Sequence, residues 1–452
     1  MTPPGDRRLG SGTLSVYAAP GVGVNFLYVW VLIMYMKFAT DVLGAAPAVL
    51  GLIFLASKIW DAVSDPIAGF VSDRTRSRLG RRRSWMLASA LPICFFSWML
   101  WAPPRELEGS ALALWIAVAV FGFYSAFTVF EVPHMAYGAE LSQDAPERNR
   151  IYGWRQMART LGMFAAAGVG VALLQNAATA RANALWLALG VGGATSLCIV
   201  WAVGALPRER TEYAARGATQ PLRALGDVWR NPHARLLLFV FFSEQIGTGA
   251  IGVLVPYVAE YVMKAPELTS PMLIVFMSSA ALGIPLWVRL GDRFDKKPLW
   301  LTAMLLSASG FGLLVFVDEG RAGLMALASV IAGVGNACGA TIGNSLQADV
   351  VDWDEAETGE RKEGTYFAVW SFVGKLASGI MMGLVGLSLA ASGFVPNAEQ
   401  TVVTKRVMVF LMGGMPLLGF ALGAALFTRF RLDASAHARV LARLGETPPK
   451  PR

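Results

Sequence analysis

The chain has 452 residues, 55% of them hydrophobic and 15% charged, with a formal net charge of +8. Soluble domains carry roughly 25% charged residues, so this composition excludes a string of soluble domains. It leaves a polytopic helical membrane protein, because lipid offers no partner to unpaired backbone groups.

The N-terminal stretch MTPPGDRRLGSG is short and polar and has no apolar region with a cleavage site, so no removable signal peptide is expected. About twelve apolar runs follow, each near the ~20 residues needed to span a bilayer. They lie at 14–39, 46–71, 84–102, 110–140, 152–174 and 184–205, then at 234–260, 270–289, 298–317, 323–348, 365–391 and 404–428. The loops after the second, fourth, sixth, eighth and tenth runs are rich in Arg and Lys, whereas loops such as Thr40–Ala45 and Asp318–Ala322 are poor in both. Basic loops stay cytoplasmic. The expectation is an integral protein of a bacterial inner membrane with both termini cytoplasmic. The basic excess then meets anionic lipid headgroups and sets topology, and nucleic acid is not expected as a partner. The run Arg81–Arg83 is read in this way, as a topology signal in contact with lipid.

Four parts are expected: a six-helix half over 1–206, a cytoplasmic loop over 207–233, a second six-helix half over 234–430 and a cytoplasmic tail over 431–452. Amphipathic spacing places surface helices over 221–230 and 434–445. Cys94, Cys198 and Cys338 all fall in apolar runs without metal spacing and read as small core residues. Asp349, Asp352, Asp354 and Glu355 are irregularly spaced near Arg361 and Lys362, which reads as a solvated charged loop rather than a metal site.

The second run holds the most informative residues. In Lys58-Ile59-Trp60-Asp61-Ala62-Val63-Ser64-Asp65-Pro66, the two acids are four residues apart and share one helix face. A charge at bilayer depth costs at least ~2.5–3.5 kcal/mol. Two like charges on adjacent turns cost more unless a cation or proton sits between them. An ion pair with Lys58, three residues earlier, neutralises one acid but hardly both. Hard cations prefer several oxygens, and Ser64 adds a hydroxyl to the two carboxylates. Pro66 frees the Ala62 carbonyl beside the pair, as a further ligand or as a plain kink.

Further charges fall in later runs. Glu131 and Arg155 carry opposite signs and read as a pair that opens to bind substrate or as a structural bridge. Lys375 sits within Trp370–Ile380 and reads as a coupling residue. Glu244 either lines a cavity or bonds across helices, and His134 reads as a packing residue more than a proton relay. A weak repeat links Gly69-x-x-x-Asp73-Arg74 to Leu290-Gly291-Asp292-Arg293, each between the second and third runs of its half. Asp73, Arg74, Asp292 and Arg293 are expected to form a cytoplasmic gate of state-dependent charge pairs.

The two halves and the Asp-Arg repeat resemble the major facilitator superfamily. The stretches KIWDAVSDPIAGFVSDRTRSRLGRRRSW, FTVFEVPHMAYGAEL and ADVVDWDEAETGERKEGTYFAVWSFVGKLASG resemble, more narrowly, the glycoside–pentoside–hexuronide:cation symporters, which include the melibiose permeases. The resemblance implies an all-α fold of twelve transmembrane helices in two six-helix halves. It implies a cation site of Asp61 and Asp65 completed by Thr128, with Ser64 where the family has an asparagine. It implies a substrate site with Glu131 and Arg155, linked to the cation by Lys375. Asn25 aligns with an acid of the sugar carriers and Met135 with a tryptophan that stacks on the sugar. Both departures weaken a sugar substrate and leave a lysolipid or other amphipathic solute open.

The function expected is therefore symport of a small organic solute with Na⁺ or H⁺ by alternating access, most simply of a glycoside or related carbohydrate, without a cofactor. A proton-driven efflux carrier is the rival within the same fold. No nucleophile–base pair or phosphate-cradling loop at useful spacing points to an enzyme.

Overall fold

Long apolar runs bounded by Gly, Pro and short polar loops become helices wherever the backbone must satisfy itself. In the computed structural model, the described residues are 8–445 except 143, 208, 210–225, 227, 250 and 361. They form helices α1 (Ser11–Asp41), α2 (Pro47–Arg74), α3 (Arg81–Trp101), α4 (Gly109–Leu141), α5 (Ala145–Ala165) and α6 (Ala177–Ala205). The second set is α7 (Pro232–Val262), α8 (Pro266–Gly291), α9 (Lys296–Phe316), α10 (Ala322–Thr358), α11 (Glu363–Ala391) and α12 (Val402–Phe427). A short helix, α13 (Ala434–Arg443), follows.

Among the described residues, eleven helices are long and apolar enough to cross a membrane. The exception within the twelve is α5, which continues as a π turn over Ala166–Gly170. Arg148, Arg150, Arg155 and Arg159 make it the most polar of the set.

The chain divides into two units, Met1–Gly217 and Ala218–Arg452. Inside the first, α3 packs on α4 and α6, α2 on α4, and α1 on α5 and α6. Inside the second, α9 packs on α10 and α12, α8 on α10, and α7 on α11 and α12. The same pairing scheme in both is the structural counterpart of the weak sequence repeat. Aromatic stacking anchors each core. Trp30 lies flat on Trp101 at 3.7 Å in the first unit, and Phe311 stacks on Phe420 at 5.7 Å in the second.

Gly162 sets the approach of α5 to α1: a Cβ there would lie 2.2 Å from the Val22 carbonyl oxygen. This close contact holds the polar face of α5, with Arg155 and Arg159, beside α1 and α4.

The tail helix appears where amphipathic spacing places it. Val440 and Leu441 are buried, and Arg443 reaches Glu357 at 2.9 Å. Asp433 caps its start by accepting from the Ala436 N–H and the Ser435 hydroxyl, which holds its carboxyl below the usual range. Of the surface helix expected over 221–230, residues 221–225 and 227 lie outside the described residues, as does Arg361.

The acidic stretch is not a loop. Helix α10 runs through it to Thr358, and Asp349 and Asp354 are buried. Lys296 holds both oxygens of Asp349 at 2.8 and 2.7 Å, and Lys362 lies 3.6 Å from Asp354. The charges are buried because each has a basic partner, which spacing alone did not reveal. His437 of α13 lies 3.1 Å from Asp352 and 3.7 Å from Asp349, so it docks the tail on the same helix. The three cysteines are free, with Cys338 buried and the other two partly so.

Candidate functional site

Helix α2 carries Asp61 and Asp65 one turn apart, with Asp61 2% exposed and Asp65 partly buried. Thr128, from the middle of α4, meets both. Its Oγ1 lies 3.2 Å from Asp61 Oδ1 and 3.0 Å from Asp65 Oδ1. Ser64 Oγ is 3.4 Å from Thr128 Oγ1 and 3.2 Å from the Asp61 carbonyl oxygen. One threonine hydroxyl has one proton, so it donates to one acid at a time. Two carboxylates and two hydroxyls thus converge from two helices, the oxygen set a hard cation requires.

Lys58 is buried on the same helix, but its ammonium is engaged by aromatic side chains. It lies 4.0 Å from the Tyr124 ring centre and 4.9 Å from that of Tyr28, and it donates to the Tyr28 hydroxyl at 3.1 Å. Asp61 is close enough to add to its electrostatic stabilisation.

A second charged group lies one turn further along α4. Glu131 Oε1 accepts from Arg155, and from Arg159 at 2.5 Å. Arg159 was not singled out in the sequence. The signal was there, since it follows Arg155 by four residues and so shares its face. Asn25 donates to the Arg159 carbonyl oxygen at 2.7 Å and fixes α5 against α1. Arg155 Nε is buried without a partner, so the cluster keeps an unused donor. Met135, one turn after Glu131, is 54% exposed. His134 is a packing residue as expected, stacked on Tyr17 at 4.4 Å and Phe130 at 4.8 Å, with Nε2 2.8 Å from the Tyr17 carbonyl oxygen.

At the Asp-Arg end of α2, Asp73 pairs with Arg82, and the Arg74 guanidinium lies 3.7 Å from the Phe70 ring centre. The Arg81–Arg83 run is not a lipid contact. Arg82 and Arg83 are each 8% exposed. Glu140 Oε1 accepts from Arg81 at 2.6 Å and Arg82 at 3.2 Å, and Arg83 donates to the Val203 carbonyl. Their own amides are satisfied as well: Glu209 accepts from the backbone N–H of Arg81, Arg82 and Arg83 at 2.9, 2.8 and 2.8 Å. A carboxylate at a helix start is favoured by the exposed N–H groups and the helix dipole.

The second unit repeats the pattern. Lys296 at the start of α9 holds Asp349 of α10, and Lys297 donates to the Thr428 and Phe430 carbonyls at 3.0 and 2.7 Å. Asp292 and Arg293 are exposed at the end of α8. Lys375 is partly buried in α11 of this unit, and Glu244 is 7% exposed in α7.

Gly80 makes the Glu209 contact possible. Its φ is +108°, and a Cβ would sit 2.6 Å from Glu209 Oε1. Gly80→Ala is therefore expected to cost about 1–3 kcal/mol in backbone strain alone, read as a lower melting temperature of the purified protein. Wild-type melting would show that Glu209 does not close on this turn.

The chain matches the family described as MFS/sugar transport protein over residues 16–434. It is similar to the isoprimeverose transporter of Lactiplantibacillus pentosus, with 25% identity over 425 residues, 92% of this chain and 88% of that protein. It is similar to the inner membrane symporter YicJ of Escherichia coli (strain K12), with 25% identity over 433 residues, 93% and 92% of the two chains. The fold is that of a solved D-xylose-proton symporter, with a TM-score of 0.69 at 14% identity, over 92% of this chain and 97% of that one. Twelve long helices among the described residues, in two like-paired units, and a match over most of the length make this chain an integral membrane protein that belongs to the MFS/sugar transport protein family.

Proposed function

We propose that this transporter is a cation-coupled symporter that takes up a glycoside or related carbohydrate by alternating access. Asp61, Asp65, Ser64 and Thr128 are the ligands of the coupling cation, Na⁺ or H⁺. The observation that carries this reading is the Thr128 hydroxyl, 3.0 Å from the partly buried Asp65 carboxylate and 3.2 Å from the buried Asp61 carboxylate. Two like charges one turn apart at membrane depth repel each other, and a positive ion held between them relieves that cost.

Glu131 and Arg155 bind the solute, aided by Asn25, Met135 and Arg159, because a carboxylate and two guanidinium groups offer an acceptor and donors to sugar hydroxyls. Lys375 links solute and cation; its role rests on the family resemblance. The two relatives named above are an isoprimeverose transporter and an inner membrane symporter, which supports solute class and location. The arginine-rich loops support cytoplasmic termini. Asp73, Arg74, Asp292 and Arg293 act in the cytoplasmic gate, where Arg82 and Glu140 extend the network in the first unit.

The test is uptake of labelled glycosides into proteoliposomes under an imposed Na⁺ or H⁺ gradient. An inward gradient of one cation is expected to drive accumulation and to name the ion. Expulsion would make the protein an exchanger, and indifference to both gradients would end the symport reading.

A further inference from the structure

The second unit contains an acid that this mechanism does not use. Glu244 lies in α7, is 7% exposed, and its Oε1 is fully buried without a hydrogen-bond partner. Its surroundings come from four helices. Trp300 of α9 lies near the carboxyl. The Cys338 thiol of α10 lies near it as well. On α7 itself, the Ser243 hydroxyl donates to the Gly419 carbonyl at 2.8 Å, and the Thr248 hydroxyl donates to the Glu244 carbonyl at 3.1 Å. From α12, Gly423 approaches so closely that a Cβ there would lie 3.5 Å from Glu244 Cγ. Among the described residues no ion pair to Glu244 is seen.

The seam between α7 and α12 has no slack. A Cβ at Gly419 would stand 2.4 Å from the Ser243 carbonyl oxygen, and one at Gly247 would stand 2.8 Å from Pro416 Cα. Small residues of this kind let helix backbones touch. A carboxylate beside such a seam, with one oxygen fully buried and unbonded, is a buried charge without a counter-charge, and such a charge is among the costliest groups a protein holds. A carboxylic acid removes the charge and turns one oxygen into a donor.

We propose that Glu244 is a proton-binding site of the second unit, separate from the Asp61/Asp65 cluster, and that its proton closes the α7–α12 seam. The step is a simple protonation: one carboxylate oxygen gains H⁺ from water, and loss of that H⁺ returns a charge the seam holds only by loosening. The proposal does not depend on which ion occupies the first-unit cluster.

Two measurements test it on the full-length purified protein. In infrared difference spectra at neutral pH, a protonated-carboxyl band is expected in the wild type, absent from Glu244→Gln and displaced in Trp300→Phe, which keeps the acid and changes its nearest polar neighbour. Hydrogen exchange across α7 and α12, corrected for the intrinsic pH effect, is expected to rise several-fold with pH in the wild type and to stay flat in Glu244→Gln. A wild-type spectrum with no carboxyl band lost in Glu244→Gln overturns the proton. Exchange that tracks pH equally in wild type and Glu244→Gln overturns its control of the seam. If Glu244→Gln does not fold, an undisplaced band in Trp300→Phe overturns the assignment.

Discussion

Asp61→Asn and Asp65→Asn are each expected to cut cation-driven uptake by about 100-fold, because losing one partner of a buried charge interaction costs about 2–5 kcal/mol. The amide still accepts a hydrogen bond from Thr128, so the 3.2 and 3.0 Å contacts survive in form. What is lost is the charge proposed to bind the ion. Thr128→Ala keeps both charges and removes the shared hydroxyl, for a smaller loss of about 10-fold, in line with the ~1.5–3 kcal/mol of a hydrogen bond to a charged group. The measurement is initial uptake against cation concentration, beside solute counterflow without a gradient. Each Asn variant should raise the cation concentration needed for half-maximal uptake while counterflow persists. If both Asn proteins still concentrate solute as the wild type does, the cluster is not the coupling site.

Glu131→Gln is expected to be the most damaging single change outside that cluster. Arg155 and Arg159 both converge on Glu131 Oε1. Without the acid, two guanidinium groups four residues apart on one helix face each other uncompensated. Removing one partner of a buried pair costs about 3–5 kcal/mol; Arg159 is 33% exposed, so solvent screening lowers its share. The expected result is a marked fall in melting temperature together with loss of solute uptake. The double variant Glu131→Gln/Arg159→Gln should recover part of the stability and none of the uptake, which separates structural from solute-binding effects. Equal recovery of both would reduce the trio to a brace between α4 and α5.

Sequence spacing revealed the two acids on α2 because four residues on a helix return to one face. It did not by itself bring Thr128 to them, 63 residues away in the chain; the family resemblance did. Arg159 is hidden in the sequence because a second arginine on α5 resembles another topology charge. The lipid contact expected for Arg81–Arg83 fails for the same reason, because their partners Glu140 and Glu209 arrive from the ends of α4 and α6. Asp349 and Asp354 looked solvated for a related reason. Charge predicts exposure only when no opposite charge is delivered to it, and Lys296 and Lys362 deliver it. Helix α5 was counted as a span like the others; its arginines make it the one helix of the twelve that apolarity alone does not single out.

Glu209 has a consequence for how the molecule is made. It lies three positions beyond the last residue expected in the first half, and it closes on Arg81, 128 residues earlier. A ribosome therefore delivers α3 long before the carboxylate that will crown it, and until then the opening amides of α3 are left to water. Halves expressed as separate polypeptides should be divided after residue 209. A break at 206 would strand that crown on the wrong fragment.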